Sequence, residues 1–118
     1  MSEANAPPSV RDLVNFYKRE VLSGNVTPRR ASEIEQQLTA LLGNILDEQR
    51  IADSLYNEVL AKCMREETKA NRARIIAETS QEFLRKRAVK DTHVLATQLI
   101  VSMRSMIRMA TEEMRLSR

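Results

Sequence analysis

The chain has little proline and glycine, and most of what it has lies near the start. All three prolines precede residue 29, and after Gly24 the only further glycine among 118 residues is Gly43. Because proline breaks helix interiors and glycine weakens them, residues 28–118 contain almost nothing that would interrupt a helix. Apolar residues recur there at helical spacing, so the sequence predicts an all-α fold.

Long hydrophobic runs are also missing. The most apolar stretch, residues 94–103, is ten residues long and falls well short of the roughly 20 that span a bilayer, so we expect no membrane segment. Residues 1–8 lack the basic and apolar regions of a signal peptide, and Cys63, the only cysteine, has no partner for an internal disulfide. We expect an intracellular protein, or one carried inside a virus particle, and not a secreted one.

Helix start and stop signals divide the first part of the chain. Ser9 can cap a first helix and Gly24 can end it, while Thr27 and Pro28 have the positions of an N-cap and a first helical residue. The apolar stripe that follows runs through residues 34–77, and Gly43 does not shift its phase. The pattern therefore predicts one continuous second helix through Gly43.

The next interruption lies at Thr79 and Glu82, which have the spacing of a capping box. We expect a tight turn there, followed by a third helix. The predicted organisation is a flexible leader at residues 1–8 and a single helical domain at residues 9–118, with helices at about 10–22, 28–77 and 80–116.

The third helix has more apolar surface than one neighbouring helix can cover. Its inner stripe consists of Leu84, Ala88, Thr92, Leu95, Leu99, Met103, Met106 and Ala110. A second apolar strip, about a quarter turn away, carries Ile100, Ile107 and Met114, and we call it the shoulder. The shoulder must be covered by the short first helix or by another chain. We predict a short N-terminal helix and a long antiparallel helical hairpin that forms an oligomeric helical bundle, at least a homodimer. Ile100, Ile107, Met109 and Met114 are the candidate protein interface.

Positive charge is concentrated in the last part of the chain. Residues 1–70 carry nine Lys/Arg and eleven Asp/Glu, whereas residues 71–118 carry ten and five. A hairpin turn near residues 78–82 would gather the basic cluster: Lys69, Arg72, Arg74, Arg85, Lys86, Arg87 and Lys90. Three explanations fit such a cluster: solvated helix faces with local ion pairs, a nucleic acid contacted through its backbone, or an acidic protein partner.

A second basic row lies on the outward side of the third helix. It comprises Arg104, Arg108, Arg115 and Arg118. A row of this kind can follow a phosphate backbone, but any amphipathic helix in water also needs charged residues opposite its apolar stripe.

The residues of an active site are not readable in this chain. His93 is the only histidine and has no carboxylate three or four residues away, and Cys63 lies on the apolar stripe of the second helix. The two glycines cannot form a glycine-rich phosphate loop. We therefore expect no enzyme, no metal and no cofactor.

Part of the chain resembles a known group of proteins. The resemblance lies in Lys69-Ala70-Asn71-Arg72-Ala73-Arg74-Ile75, the turn at Thr79-Ser80, Arg85-Lys86-Arg87-Ala88, and the spacing of Leu95, Leu99, Arg104, Arg108 and Glu113. Over residues 56–118 these features are similar to small helical-hairpin accessory proteins of bacteriophage replication and recombination gene clusters. The resemblance implies a phage accessory protein that acts beside DNA-processing partners without catalysis of its own.

Two hypotheses follow. The first is a self-associating helical adaptor that binds another protein through its apolar shoulder. The second is a nucleic-acid-backbone-binding protein that uses the basic cluster at the hairpin turn.

Overall fold

The computed structural model describes residues 8–117, which are helical except at short connections. Within that range there are four α-helices and no β-strand: α1 (Val10–Leu22), α2 (Pro28–Glu66), α3 (Ala70–Ala77) and α4 (Gln81–Leu116). The fold is all-α, with a short N-terminal helix followed by a long antiparallel helical hairpin, as predicted. The leader at residues 1–7 and Arg118 lie outside the described residues.

The first two helices begin at the predicted signals. The Ser9 hydroxyl accepts a hydrogen bond from the Asp12 N–H at 3.1 Å, and the Asp12 carboxylate accepts one from the Ser9 N–H at 3.3 Å, which completes a capping box. Thr27 Oγ1 accepts a hydrogen bond from the Arg30 N–H at 3.1 Å at the start of α2. Gly24 lies between the two helices with φ +78°, a conformation that favours glycine.

The prediction of one helix over residues 28–77 is right through Gly43 but wrong near its end. α2 stops at Glu66, and Lys69 is extended at φ −113° and ψ 126° before α3 begins. Two adjacent carboxylates, Glu66 and Glu67, lie at this end of α2, where negative charge opposes the helix dipole. Thr68 follows them, and its branched side chain has low helix propensity. These residues therefore favour the observed break.

The turn between α3 and α4 lies where the sequence predicts it, but a different residue caps α4. The Ser80 hydroxyl accepts a hydrogen bond from the Phe83 N–H at 3.2 Å. The Thr79 hydroxyl donates to the carbonyl of Ile76 at 2.6 Å at the end of α3, and within residues 8–117 it accepts no hydrogen bond from the first turn of α4. The predicted capping box of Thr79 and Glu82 is therefore wrong, and Ser80 is the cap.

The chain divides into two compact units. The first unit contains residues 8–44 and 94–117, and the second contains residues 45–93. The buried residues of the first unit are Val14, Ala31, Ile34, Leu38, Ala96, Leu99, Ile100 and Met103. Those of the second are Ile45, Ala52, Tyr56, Ala73, Ala77 and Thr92. That residues 9–118 form a single domain stays a prediction.

Leu84 does not belong to the core, although the sequence places it on the inner stripe. Its exposed fraction is 62%. The neighbouring Phe83 takes the inward position, with its ring centroid 5.4 Å from that of Tyr56 in the second unit. At the first turn of α4 a one-residue difference in phase is enough to exchange the two side chains, because consecutive residues point about 100° apart.

Candidate interaction surfaces

A row of exposed residues follows the outward side of α4 in the first unit. We call it the α4 outer stripe, and it consists of Val94, Gln98, Val101, Ser105, Met109, Glu112 and Leu116. All seven are exposed, and Val101, Met109 and Leu116 are 59%, 62% and 81% exposed. At about 100° per residue the seven positions fall within roughly 80° of the helix circumference. The stripe is therefore one continuous face.

The opposite side of α4 is the side that packs. Ala96, Leu99, Ile100 and Met103 are at most 7% exposed and lie roughly half a turn from the α4 outer stripe. One side of this helix segment is thus covered by its own chain, while the other carries apolar side chains that nothing in the described residues covers. Met109 is the one member of this stripe that the sequence predicts as an interface residue, because the predicted shoulder of Ile100, Ile107 and Met114 does not lie opposite the buried face.

The predicted protein interface is only partly exposed. Ile100 is 4% exposed, so its inclusion is wrong: residues of its own chain supply the extra cover that the shoulder needs. Ile107 is half-buried, whereas Met109 and Met114 are 62% and 66% exposed. The reason is position along the helix and not phase, since the three residues of the shoulder share one face, and Met114 lies two helical turns beyond Ile107, near the end of α4.

Two grooves in the first unit lie between the start of α2 and the C-terminal part of α4. Both are lined by Pro28, Ala110 and Glu113. One extends to Val101, Ser102, Ser105, Met106 and Met109, and the other to Ile107, Thr111, Met114 and Ser117. The exposed and half-buried members of the predicted interface therefore lie along these grooves.

The arginines of the second basic row differ in whether they form ion pairs within the chain. The Arg104 Nε donates a hydrogen bond to Glu35 Oε1 at 2.8 Å, which joins α4 to α2 within the first unit. Arg115 lies 3.7 Å from the carboxylate of Glu112 on the same helix. Arg108 is exposed and forms no ion pair within residues 8–117. Arg104 is thus a structural contact, and Arg118 lies outside the described residues.

All seven residues of the basic cluster lie in the second unit. Six are exposed, and Lys86 is half-buried. Arg72 lies 3.8 Å from the carboxylate of Glu67, which is the one ion pair of the cluster within the described part of the chain. Lys86, Arg87 and Lys90 line a shared groove with Phe83 and Asp91. Lys69, Arg72, Arg74 and Arg85 do not line it.

Two aromatic rings hold part of the basic cluster in place. The Lys86 ammonium lies 4.6 Å from the centroid of the Tyr56 ring, and the Arg87 guanidinium lies 5.9 Å from that of Phe83. Such cation–π contacts fix the direction of a charge without neutralising it. The sequence contains a signal only for the second contact, because Phe83 precedes Arg87 by four residues, the spacing of neighbours on a helix surface.

Among residues 8–117 no group of three or more His, Cys, Asp or Glu side chains could hold a metal ion. None of the helices described there combines the length and the apolar character that crossing a bilayer requires. Cys63 is a free, half-buried thiol. Comparisons of the chain with protein-family models, with curated proteins and with solved structures found no match.

Proposed function

We propose that this chain is a non-catalytic helical adaptor that self-associates through the α4 outer stripe and binds a protein partner. The observation that carries the proposal is the exposure of Val101, Met109 and Leu116 on the side of α4 opposite its buried face. Single exposed apolar residues are ordinary, but four of them, Val94, Val101, Met109 and Leu116, share this face with the polar Gln98, Ser105 and Glu112. Apolar residues gathered on one face are typical of a surface that another molecule covers. Self-association would remove this row from water.

The proposed surface for the protein partner is the groove that Pro28 forms with Ile107, Ala110, Thr111, Glu113, Met114 and Ser117, because it contains no member of the α4 outer stripe. Glu113 places one negative charge in its lining. Met114 adds a flexible side chain that can adapt to a partner's shape. Following the resemblance to phage helical-hairpin accessory proteins, we propose a DNA-processing protein as the partner and the cell interior or a virus particle as the location.

Self-association is tested by placing charge in the stripe. The variant Val101→Glu with Met109→Glu should sediment as a smaller species than the native chain while its helical circular dichroism is unchanged. The matched control is Ile75→Glu with Leu84→Glu, because these residues are 63% and 62% exposed but lie in the second unit. The control should keep the native sedimentation. Equal behaviour of the two variants would contradict the proposal.

The basic cluster supports a second candidate function, which is binding to a nucleic acid backbone. The supporting observation is the groove in which Lys86, Arg87 and Lys90 face one carboxylate, that of Asp91. Lysine and arginine supply sequence-independent affinity for phosphates by releasing counterions. Tyr56 is buried beneath Lys86, so we propose contact with the backbone and not stacking on bases.

This candidate is tested with Arg87→Glu and Lys90→Glu together. We expect weaker binding of duplex and single-stranded DNA at low salt and a smaller dependence of affinity on salt concentration. The control is Arg11→Glu with Lys18→Glu, which makes the same charge change at two exposed residues of α1. If both variants lose the same affinity, binding reflects net charge alone and the groove has no specific role.

A further inference from the structure

We infer that Tyr56 is a positioning residue for nucleic acid binding: its ring holds the Lys86 ammonium in place for contact with a backbone phosphate. The inference rests on the second candidate function, binding to a nucleic acid backbone, and adds which cation is placed in advance and by which side chain. It follows from the contacts that join Tyr56, Phe83 and Lys86 in the second unit.

The Tyr56 ring is itself held by its surroundings. Tyr56 is 7% exposed, and its ring centroid lies 5.4 Å from that of Phe83, with the two ring planes tilted by 46°. Aromatic rings at this separation attract each other in addition to burying apolar surface. Because α2 carries Tyr56 and α4 carries Phe83, packing between these helices restrains the ring. A charge that lies over its face is restrained with it.

Lys86 differs from the other six residues of the basic cluster. It alone is half-buried, and its ammonium lies 4.6 Å from the centroid of the Tyr56 ring. The one ion pair of the cluster within residues 8–117 belongs to Arg72, so no carboxylate neutralises the Lys86 charge there. A ring face attracts an ammonium and leaves its charge in place. The N–H groups that point away from the ring can therefore donate to a phosphate oxygen.

A lysine that is held before binding loses less freedom when the phosphate arrives. An exposed lysine side chain has many rotamers, and fixing them on binding opposes affinity. The contact with Tyr56 restricts the rotamers of Lys86 in the free protein. Lys69 and Lys90, the other lysines of the cluster, have no such ring contact within the described part of the chain. Lys86 should therefore contribute more to affinity than either of them.

The neighbouring arginine extends the same arrangement. The Arg87 guanidinium lies 5.9 Å from the centroid of the Phe83 ring, and Lys86 and Arg87 line one groove. Each ring of the Tyr56–Phe83 pair thus holds one cation of that groove. Phosphodiester oxygens accept hydrogen bonds and carry negative charge, so a phosphodiester is the ligand class that suits two cations held in this way.

A double-mutant cycle tests whether Tyr56 acts through Lys86. Binding of duplex DNA at low salt is measured for Tyr56→Leu in the native chain and again in a Lys86→Gln background. We expect Tyr56→Leu to weaken binding by about two- to fivefold in the native chain, the range of a cation–π contact. In the Lys86→Gln background it should have almost no effect, because the cation that it positions is gone.

A second set of variants keeps the core filled in case Tyr56→Leu disturbs folding. Tyr56→Phe retains the ring and should restore the affinity that Tyr56→Leu loses. Pentafluorophenylalanine at position 56 also retains the ring, but its fluorines withdraw electron density from the face on which the attraction depends. We expect it to bind about two- to fivefold more weakly than Tyr56→Phe. Circular dichroism checks that the variants remain helical.

The outcomes separate this inference from the candidate function on which it rests. Equal losses from Tyr56→Leu in both backgrounds would show a structural role for Tyr56 and would overturn the inference, while nucleic acid binding stood. Equal affinities of Tyr56→Phe and the fluorinated chain would overturn it in the same way. A native chain that binds no DNA at low salt would overturn the inference together with the candidate function.

Discussion

Arg30 at the start of α2 holds Glu20 of α1 through two parallel hydrogen bonds. The Arg30 Nε donates to Glu20 Oε2 at 2.6 Å, and its Nη2 donates to Oε1 at 2.8 Å. The remaining Nη1 donates to Glu33 at 3.0 Å. A guanidinium that binds both oxygens of a carboxylate fixes the orientation of the two groups relative to each other. This pair therefore constrains the angle between α1 and α2.

The pair predicts how stability depends on pH. The hydrogen bond from Arg30 holds the pKa of Glu20 below its ordinary value of 4.5. A carboxyl whose pKa is lowered by folding stabilises the folded state above its unfolded pKa, and this contribution disappears as the pH falls through the folded pKa. We expect Glu20→Gln to lower Tm at pH 7, and we expect the difference from the native chain to shrink at pH values below 4.5.

Thermal unfolding followed by circular dichroism at neutral and acidic pH checks this. Glu48→Gln is the control, because Glu48 is exposed on α2 and forms no ion pair within residues 8–117. It should leave the pH dependence of Tm unchanged. An equal loss of Tm from Glu20→Gln at every pH would mean that the charge of Glu20 is not the cause.

Two leucines that the sequence treats alike should differ sharply. Leu38 is fully buried in the first unit, whereas Leu84 is 62% exposed in the second. We expect Leu38→Ala to lower the free energy of unfolding by about 2–5 kcal/mol, because it leaves a cavity in the core. Leu84→Ala should change it by less than about 0.5 kcal/mol, as is usual for exposed positions. Urea titration measures both, and similar values would contradict the assigned core.

The break before α3 offers a stabilising substitution. Lys69 is the N-cap of α3 and makes no side-chain hydrogen bond to its first turn. Serine is a good N-cap, so Lys69→Ser should raise the free energy of unfolding by about 0.5–1 kcal/mol. Lys62→Ser within α2 is the control and should be slightly destabilising, since serine has lower helix propensity than lysine. If Lys69→Ser is also destabilising, α2 continues through this position in solution.

The sequence could predict the elements whose cause is local. Ser9, Gly24, Thr27 and Pro28 act on the backbone within a few residues of themselves, and the structure places helix ends at these signals. The break after Glu66 is less readable, because it depends on several weak unfavourable effects that add up. Because the apolar stripe keeps its helical spacing on both sides of the break, the pattern predicts a continuous helix there.

The candidate surfaces could be predicted only in part. The exposure of Met109 follows from its place opposite the buried face, but Met114 and Ile100 share one face, and only the residues that lie against each decide that the first is exposed and the second buried. In the same way, the sequence predicts that Lys86, Arg87 and Lys90 lie in one basic cluster. The contact of Lys86 with Tyr56, however, joins residues thirty positions apart. Such contacts depend on tertiary packing, which cannot be predicted from the pattern of neighbouring residues in the sequence.

The central claim is that the α4 outer stripe mediates self-association. The most direct test is sedimentation equilibrium of the native full-length chain over a wide range of protein concentrations. We expect an average mass that rises with concentration from the monomer value of 13.5 kDa towards twice that value. A single species of 13.5 kDa at every concentration would contradict the account.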